Sequence, residues 1–322
     1  MKIGLYDTDS HNYPNLPLMK ISAWHKAKGD EVEFVFPLKH YDRIYVSKVF
    51  GDEYSIMQNA CLQADEIIYG GTGFAITVKD GKEVFEPTKD IALPEQIEHC
   101  YPDYSLYPEL TKDKAIGFLT RGCPNNCDFC IVTKKEGREA IKVADLNEFW
   151  RGQKNIDLLD ANLLACKDKM SLLQQLAESG AWVDFKQGLD ARFITEEVAH
   201  ALTKIKIKLI HFAFDYMKNE KAIVKGLETY KRVAKTTDNK DIVYILTNYN
   251  TTFDEDMYRI RKVCELGYLP DVRIYRKSTA PQILRDLQRW ANNRILFRSC
   301  DFLDYVPRKS NGGKTIKQLY FD

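Results

Sequence analysis

The sequence has no long apolar run, since no stretch approaches the ~18 consecutive apolar residues that a membrane-spanning helix requires. The amino terminus, MKIGLYDTDS, also lacks the apolar segment and small-residue cleavage site of a secretion signal. Charge of one sign is not in excess, because 47 basic residues stand against 46 acidic ones, and a polyanion would therefore have to meet a local patch. These absences predict a cytoplasmic protein with no membrane partner.

Cysteine is sparse, with eight residues in a chain of 322, which is too few for a disulfide scaffold. Cysteines that are close together in the sequence therefore suggest metal binding. With 44% apolar and 29% charged residues, the composition is that of a globular protein. The length exceeds that of a usual single domain and favours two cores.

Residues 1–80 have the pattern of a small α/β unit. A helical pattern at Leu16–Lys28 ends at Gly29, and a second one covers Tyr54–Ala64. The strand candidates are KIGLYDTD, EVEFVFP, RIYVSKVF and ADEIIYGGTG. We expect a Rossmann- or flavodoxin-like domain, followed by an extended linker over residues 81–112.

Residues 113–303 alternate regularly between strand and helix patterns. The strand candidates are AIGFLT, IDLLD, WVDFKQ, KLIHFAF, IVYILT and VRIYR. The helical patterns cover 144–153, 168–179, 195–204, 218–235, 253–266 and 281–292. Six such units predict a partial (β/α)6 TIM-like barrel, with an open doubly wound sheet as the alternative and residues 304–322 as a C-terminal tail. In either fold the chemistry is expected after the carboxyl ends of the strands.

Three cysteines follow the first of these strands in GFLTRGCPNNCDFCIVTKKEG. Cys123, Cys127 and Cys130 have the spacing C-x3-C-x2-C, and a loop containing Gly122 and Pro124 can wrap three thiolates around one face of a 4Fe-4S cluster. The fourth iron then has no protein ligand and is open to a substrate. A structural zinc site is the alternative, but zinc normally takes four ligands and no nearby residue supplies the fourth.

This motif, with the aromatic Phe129 before the last cysteine, resembles the signature loop of the radical S-adenosylmethionine superfamily. The resemblance covers about 190 residues, because the six strand–helix units also match the partial barrel of that family. It implies that S-adenosylmethionine chelates the open iron and is cleaved reductively to methionine and a 5′-deoxyadenosyl radical, which removes hydrogen from a substrate. It also implies an electron donor such as flavodoxin or ferredoxin.

Polar and aromatic residues after the strands are candidates for holding the nucleoside. Together with Phe129 they form the predicted cofactor-binding set: Asp160, Asn162, Gln187, Asp190, Arg192, Asp215, Thr247 and Tyr275. The alternative is that the Asp and Asn residues cap helices and the aromatic residue packs in the core. Family members commonly have a glycine-rich turn after the second strand, where this chain has DANLLA instead.

The amino-terminal unit, ending in YGGTGF, is similar to the cobalamin-binding domain found in one subgroup of the superfamily. The family pattern for cobalt ligation is D-x-H-x-x-G. This chain has Asp9, His11 and then Pro14 in place of the glycine. Because proline offers neither a backbone N–H nor a positive φ, cobalamin binding is disfavoured.

The sequence therefore predicts a radical S-adenosylmethionine enzyme whose catalytic residues and specific reaction are unknown. Its expected substrate is a nucleic-acid base, a peptide or a small metabolite. One alternative is a cobalamin-dependent methyltransferase of the same superfamily. Another, of a different class, is a non-catalytic protein that binds or senses with a metal cluster.

Overall fold

The chain has a mixed α/β fold with several parallel sheets. This computed structural model describes residues 1–9, 12–51, 55, 62–79, 82–235, 241–308 and 312–322. The chain divides into two compact units, Met1–Ala181 and Trp182–Asp322, which are taken separately below. The boundaries at residues 80, 112 and 303 stay predictions.

A four-stranded parallel sheet begins the first unit. Its strands are β1 (Lys2–Asp7), β2 (Glu31–Phe34), β3 (His40–Ser47) and β4 (Gln63–Gly70), in the order β2-β1-β3-β4. The four predicted strands are confirmed. The predicted helix at 54–64 falls mostly outside the described residues, and its last two positions belong to β4.

Helix α1 (Leu16–Ala27) matches the predicted helix. The side chain of Asn15 caps it by accepting a hydrogen bond from the Leu18 N–H at 3.2 Å, and Gly29 follows its end with a φ of +83°. Leu18 and Ile21 pack with apolar residues of β1, so this helix covers the core of the first sheet.

The predicted linker contains ordered elements. An antiparallel hairpin of β5 (Ile76–Lys79) and β6 (Lys82–Phe85) spans its start, and the short helix α2 (Glu95–Glu98) follows. Tyr104 anchors the end of this segment, because its hydroxyl donates to the Phe149 carbonyl at 2.6 Å and accepts from the Ile116 N–H at 3.2 Å.

The rest of the first unit carries the cysteine motif. Strands β7 (Lys114–Gly117) and β10 (Asn155–Leu158) pair in parallel, and β8 (Thr120–Arg121) pairs antiparallel with β9 (Ile141–Lys142). The helices are α3 (Val132–Lys135) and α4 (Lys169–Ser179), the second as predicted.

The helix predicted at 144–153 is wrong. Only a single 3₁₀ turn forms at Leu146–Glu148, closed by a capping box between Asp145 and Glu148. Gly152 then adopts a φ of +98°, which is incompatible with a continuing right-handed helix. The capping box therefore closes a single turn.

The second unit alternates parallel strands and helices. Its strands are β11 (Trp182–Phe185), β12 (Lys206–Ile207), β13 (Ile210–Ala213), β14 (Asp241–Thr247) and β15 (Leu269–Ile274). Its first four helices are α5 (Glu196–Thr203), α6 (Glu220–Ala234), α7 (Phe253–Glu265) and α8 (Gln282–Asn292). The pairs β11–β12, β13–β14 and β14–β15 are all parallel. The four helices and the strands β11, β13, β14 and β15 match the predicted ones, whereas the two-residue strand β12 was not predicted.

The C-terminal segment docks onto α8. After α9 (Arg294–Ser299), the chain ends in α10 (Ile316–Tyr320). Buried Asp286 accepts hydrogen bonds from Arg308 at 3.3 Å and from the Tyr320 hydroxyl at 2.9 Å. Among the described residues, no helix has both the length and the apolar character needed to cross a membrane.

Candidate metal and ligand site

The three motif cysteines lie on one loop of the first unit, between β8 and α3. The thiols of Cys123, Cys127 and Cys130 are all partly buried, as is the side chain of Phe129. The β8–β9 ladder pins the residues just before the loop to the chain that returns after it. One short segment therefore carries all three sulfurs on a fixed base.

Backbone contacts determine how this loop begins and turns. Gly122 has a φ of +87°, and a Cβ there would lie 2.1 Å from the Glu139 carbonyl oxygen, so only glycine fits. The Cys123 N–H donates to the Gly137 carbonyl at 3.2 Å, and the Cys130 N–H donates to the Cys127 carbonyl at 3.0 Å. The hydrogen bonds that shape the loop are therefore largely made by the main chain.

Asn162 contacts the first cysteine directly. Its side-chain amide, on the loop after β10, donates to the Cys123 sulfur at 3.4 Å, and the residue is buried. N–H donors to sulfur stabilise thiolates and tune the reduction potential of iron–sulfur clusters. The structure thus places Asn162 in contact with Cys123, and its predicted role in cofactor binding stays a prediction.

The donor chemistry of the loop fits an iron–sulfur cluster, because three thiols on one segment are the ligand set such clusters take. In the described part of the chain, no three His, Cys, Asp or Glu side chains are grouped so as to hold a metal ion.

Asp160 ties the loop after β10 to the chain entering the cysteine loop. Its buried carboxylate accepts from the Leu119 N–H at 3.2 Å and from both the Thr120 N–H and Thr120 hydroxyl at 2.6 Å. Removal from water raises the pKa of this carboxyl to about 6 despite these bonds. The contacts favour a supporting role in the fold, while its predicted role in cofactor binding stays a prediction.

Three predicted residues of the second unit form one charged group. Asp190 and Arg192 make a two-point ion pair, with Nε to Oδ1 at 2.8 Å and a terminal nitrogen to Oδ2 at 2.7 Å. Asp215 follows β13, and burial raises the pKa of its carboxyl to about 6. The charge of Arg192 lowers this pKa, and the charge of Asp190 raises it. Gln187, also predicted, is exposed.

Thr247 and Tyr275 lie where β14 and β15 end. Thr247 is fully buried, its hydroxyl donates to the Arg273 carbonyl at 3.4 Å, and its own carbonyl accepts from the Tyr275 N–H at 3.0 Å. The ring of Tyr275 meets that of Tyr249 edge-on at 4.9 Å. These residues join two strand ends, and their role in binding adenine stays a prediction.

Arg259 of α7 is the residue that sequence reasoning missed. It is fully buried and donates to the carbonyls of Phe214 at 2.7 Å and Leu246 at 2.8 Å, and also to the Asp256 carboxylate. The arginine thus binds the ends of β13 and β14 together beside Asp215. A usable signal was present, because an Asp and an Arg at i, i+3 occupy the apolar face of a predicted helix.

At the carboxyl end of the first sheet, the chain packs against itself. A Cβ at Gly71 would lie 2.3 Å from the Lys48 carbonyl oxygen, and one at Gly73 would lie 2.1 Å from that of Phe50. The Tyr107 hydroxyl donates to Asp7 Oδ2 at 2.6 Å. The glycines therefore serve backbone packing. His11, the candidate cobalt ligand, lies outside the described residues.

No protein-family model matches this chain, and no curated protein matches it.

Proposed function

We propose that this chain is a radical S-adenosylmethionine enzyme that holds a 4Fe-4S cluster through Cys123, Cys127 and Cys130. The observation that carries the proposal is a single loop bearing three cysteines at C-x3-C-x2-C spacing, with its base fixed by a strand pair and Gly122. When bound, the cluster supplies an electron that cleaves S-adenosylmethionine, and the resulting radical abstracts hydrogen from a substrate.

The order and direction of the strands support the finer fold proposal. An all-parallel sheet in the order β2-β1-β3-β4 is the arrangement of a flavodoxin-like domain, which we propose for the amino-terminal part. Parallel strands alternating with helices favour a partial (β/α)6 barrel for the following part. In such folds, ligands bind at the carboxyl ends of strands, where the polar residues described above lie.

Besides the cysteines, the chain's own residues have two tasks in this proposal. Asn162 donates a hydrogen bond to the Cys123 sulfur and so orients the side chain of the first proposed ligand. Asp190, Arg192 and Asp215 present charge at the strand ends, suited to the hydroxyl and amino groups of a nucleoside. The substrate is a nucleic-acid base, a peptide or a small metabolite, and the reductant is a protein such as flavodoxin or ferredoxin.

Cobalamin has no place in this proposal because the residues present do not fit it. The glycines that would line a groove for its tail are packed against the backbone of Lys48 and Phe50. Pro14 stands where the family pattern has glycine, and Tyr107 contacts Asp7 at the end of β1. After incubation with hydroxocobalamin and desalting, the protein should retain no corrinoid absorbance, whereas stoichiometric retention would restore the methyltransferase alternative.

The test of the enzymatic proposal is the release of 5′-deoxyadenosine. Anaerobically reconstituted protein should form it from S-adenosylmethionine after dithionite reduction. A variant with all three motif cysteines replaced by alanine is the control and should form none. An intact iron–sulfur cluster without product would overturn the enzymatic proposal and favour a protein that binds or senses with its cluster.

A further inference from the structure

Glu136 is a single carboxylate that joins the two sides of the cysteine loop. It directly follows α3, after the last cysteine, and its side chain is only 11% exposed. Its Oε2 accepts from the Gly122 N–H at 3.0 Å, and its Oε1 accepts from Arg121 at 2.9 Å. Arg121 and Gly122 are the two residues before Cys123, so Glu136 connects the end of the loop to its start through hydrogen bonds.

Arg121, the charged partner, is itself held in place. Its guanidinium lies over the Phe118 ring at 3.6 Å, and a terminal nitrogen stands 3.6 Å from a carboxylate oxygen of Glu98. Backbone pairing of Arg121 with Ile141 in the β8–β9 ladder restrains the same residue from the other side. The carboxylate of Glu136 therefore accepts from two donors whose positions are restrained, the Arg121 guanidinium and the Gly122 N–H.

The position of this contact matters because of what the loop must do. In the proposed function, the three sulfurs of this loop bind one cluster. Fixing the ends of a loop removes conformations in which the ligands point apart, and partly buried charge-assisted hydrogen bonds are the strong kind. The hydrogen bond from the Gly122 N–H acts one residue from the first cysteine.

We propose that Glu136 is a positioning residue for the cluster, closing the base of the cysteine loop so that Cys123 is held ready to ligate iron. The inference rests on the proposed function in one respect, which is that the loop holds a cluster. The contact between Glu136 and Gly122 does not depend on it, and the two claims can fail separately.

The first readout needs no metal. Hydrogen exchange of the apo protein is followed by mass spectrometry in peptides covering Gly122 and Cys123. In Glu136→Ala, their amides should exchange about tenfold faster than in the wild type, the effect expected from losing one such hydrogen bond. In Glu136→Gln, the remaining amide oxygen still accepts from Gly122, and we expect about a threefold increase. Exchange at the wild-type rate in both variants would overturn the proposal.

Glu139→Ala is the matched control. Glu139 lies three residues further on, and its side chain pairs with Lys167 on the surface, where both are more than 60% exposed. Its contact with the loop is through its backbone carbonyl, which the substitution leaves in place. Exchange at Gly122 and Cys123 should equal that of the wild type, and an increase like that of Glu136→Ala would contradict a specific role for Glu136.

The second readout is the rate at which a chelator removes iron from reconstituted protein. Release should be about tenfold faster in Glu136→Ala, intermediate in Glu136→Gln and unchanged in Glu139→Ala. Wild-type release from both Glu136 variants would overturn the positioning role. If the wild type takes up no iron, the proposed function fails, while exchange still decides whether Glu136 closes the loop. If Glu136→Ala does not fold, Glu136→Gln alone decides, and wild-type exchange in it counts against the proposal.

Discussion

The cysteine loop and the strand ends of the second unit differ in which atoms hold the chain in place. In the loop, the backbone N–H groups of Cys123 and Cys130 donate hydrogen bonds, and the carboxylate of Glu136, a residue outside the motif, accepts one from the Gly122 N–H. At the strand ends, the predicted ligands themselves make the contacts, as with the two-point pair of Asp190 and Arg192.

This difference distinguishes side chains that stabilise the fold through their own hydrogen bonds from side chains that remain available to bind a ligand. A side chain whose polar atoms already satisfy buried partners loses those bonds when it turns to a ligand, at a cost of about 1–3 kcal/mol for each group left unsatisfied. Asp160 and Thr247 are in that position. In the cysteine loop, hydrogen bonds hold the main chain, and in our proposal the thiols bind the cluster.

The sharpest test of the comparison is to replace each motif cysteine by serine. In Cys123→Ser, Cys127→Ser and Cys130→Ser, iron bound after anaerobic reconstitution should fall nearly to background, because serine is a poor ligand for such clusters. Cys100→Ser is the control, since that thiol donates to the Gln96 carbonyl at 3.2 Å as a hydroxyl also can. Full iron content in any of the three variants would break the assignment of that residue.

The strand-end group should respond in stability. In Arg259→Met, the free energy of unfolding should fall by about 3–5 kcal/mol, because Asp256 is left as a buried charge without its partner. Urea denaturation measures the free energy of unfolding. Arg261, two residues further along α7, is exposed, and Arg261→Met should change this free energy by less than about 0.5 kcal/mol. Equal effects of the two variants would contradict a structural role for Arg259.

Asp160→Asn is expected to lower the free energy of unfolding by a smaller amount. The amide group retains one acceptor oxygen but brings an N–H toward the donors of Leu119 and Thr120, so we expect a loss of about 2–3 kcal/mol. The exposed Asp168→Asn serves as control in the same unit. Unchanged stability combined with lost S-adenosylmethionine binding would instead make Asp160 a ligand, as the sequence predicts.

The smallest effect concerns pH. Burial raises the pKa of Asp215 to about 6, above the value of 3.8 for an unburied carboxyl. Between about pH 4 and 6, the native state therefore keeps a proton that the unfolded chain has lost, and this group's contribution to stability falls as the pH rises. Asp215→Asn lacks this dependence. Its stability relative to the wild type should rise by at most about 1.4 kcal/mol per pH unit over that interval, and parallel profiles would count against the burial.

Much of the fold could be predicted because apolar periodicity reflects the packing of strands and helices. The strand runs of the second unit and the helical pattern at 253–266 both proved reliable. The prediction at 144–153 was wrong because the helical pattern there forms only one 3₁₀ turn, and Gly152 takes a positive φ.

The site was less accessible from sequence, for a physical reason. Spacing selects Cys123, Cys127 and Cys130 as the proposed ligands because the three are close in the chain. By contrast, Asp160 contacts Thr120 across 40 positions and Arg259 contacts Phe214 across 45 positions, and the tertiary structure determines both contacts. The proposed role of Glu136 could not be predicted from sequence for another reason. It depends on a hydrogen bond from a backbone N–H, that of Gly122, and every residue except proline has such a group.

Metal analysis of anaerobically reconstituted wild-type protein tests the central claim most directly. Iron, acid-labile sulfide and zinc are measured on the same desalted sample. A 4Fe-4S cluster on the cysteine loop predicts about four iron and four sulfide per chain, with zinc near background. Stoichiometric zinc with no iron would contradict the account, because the loop would then be a structural zinc site.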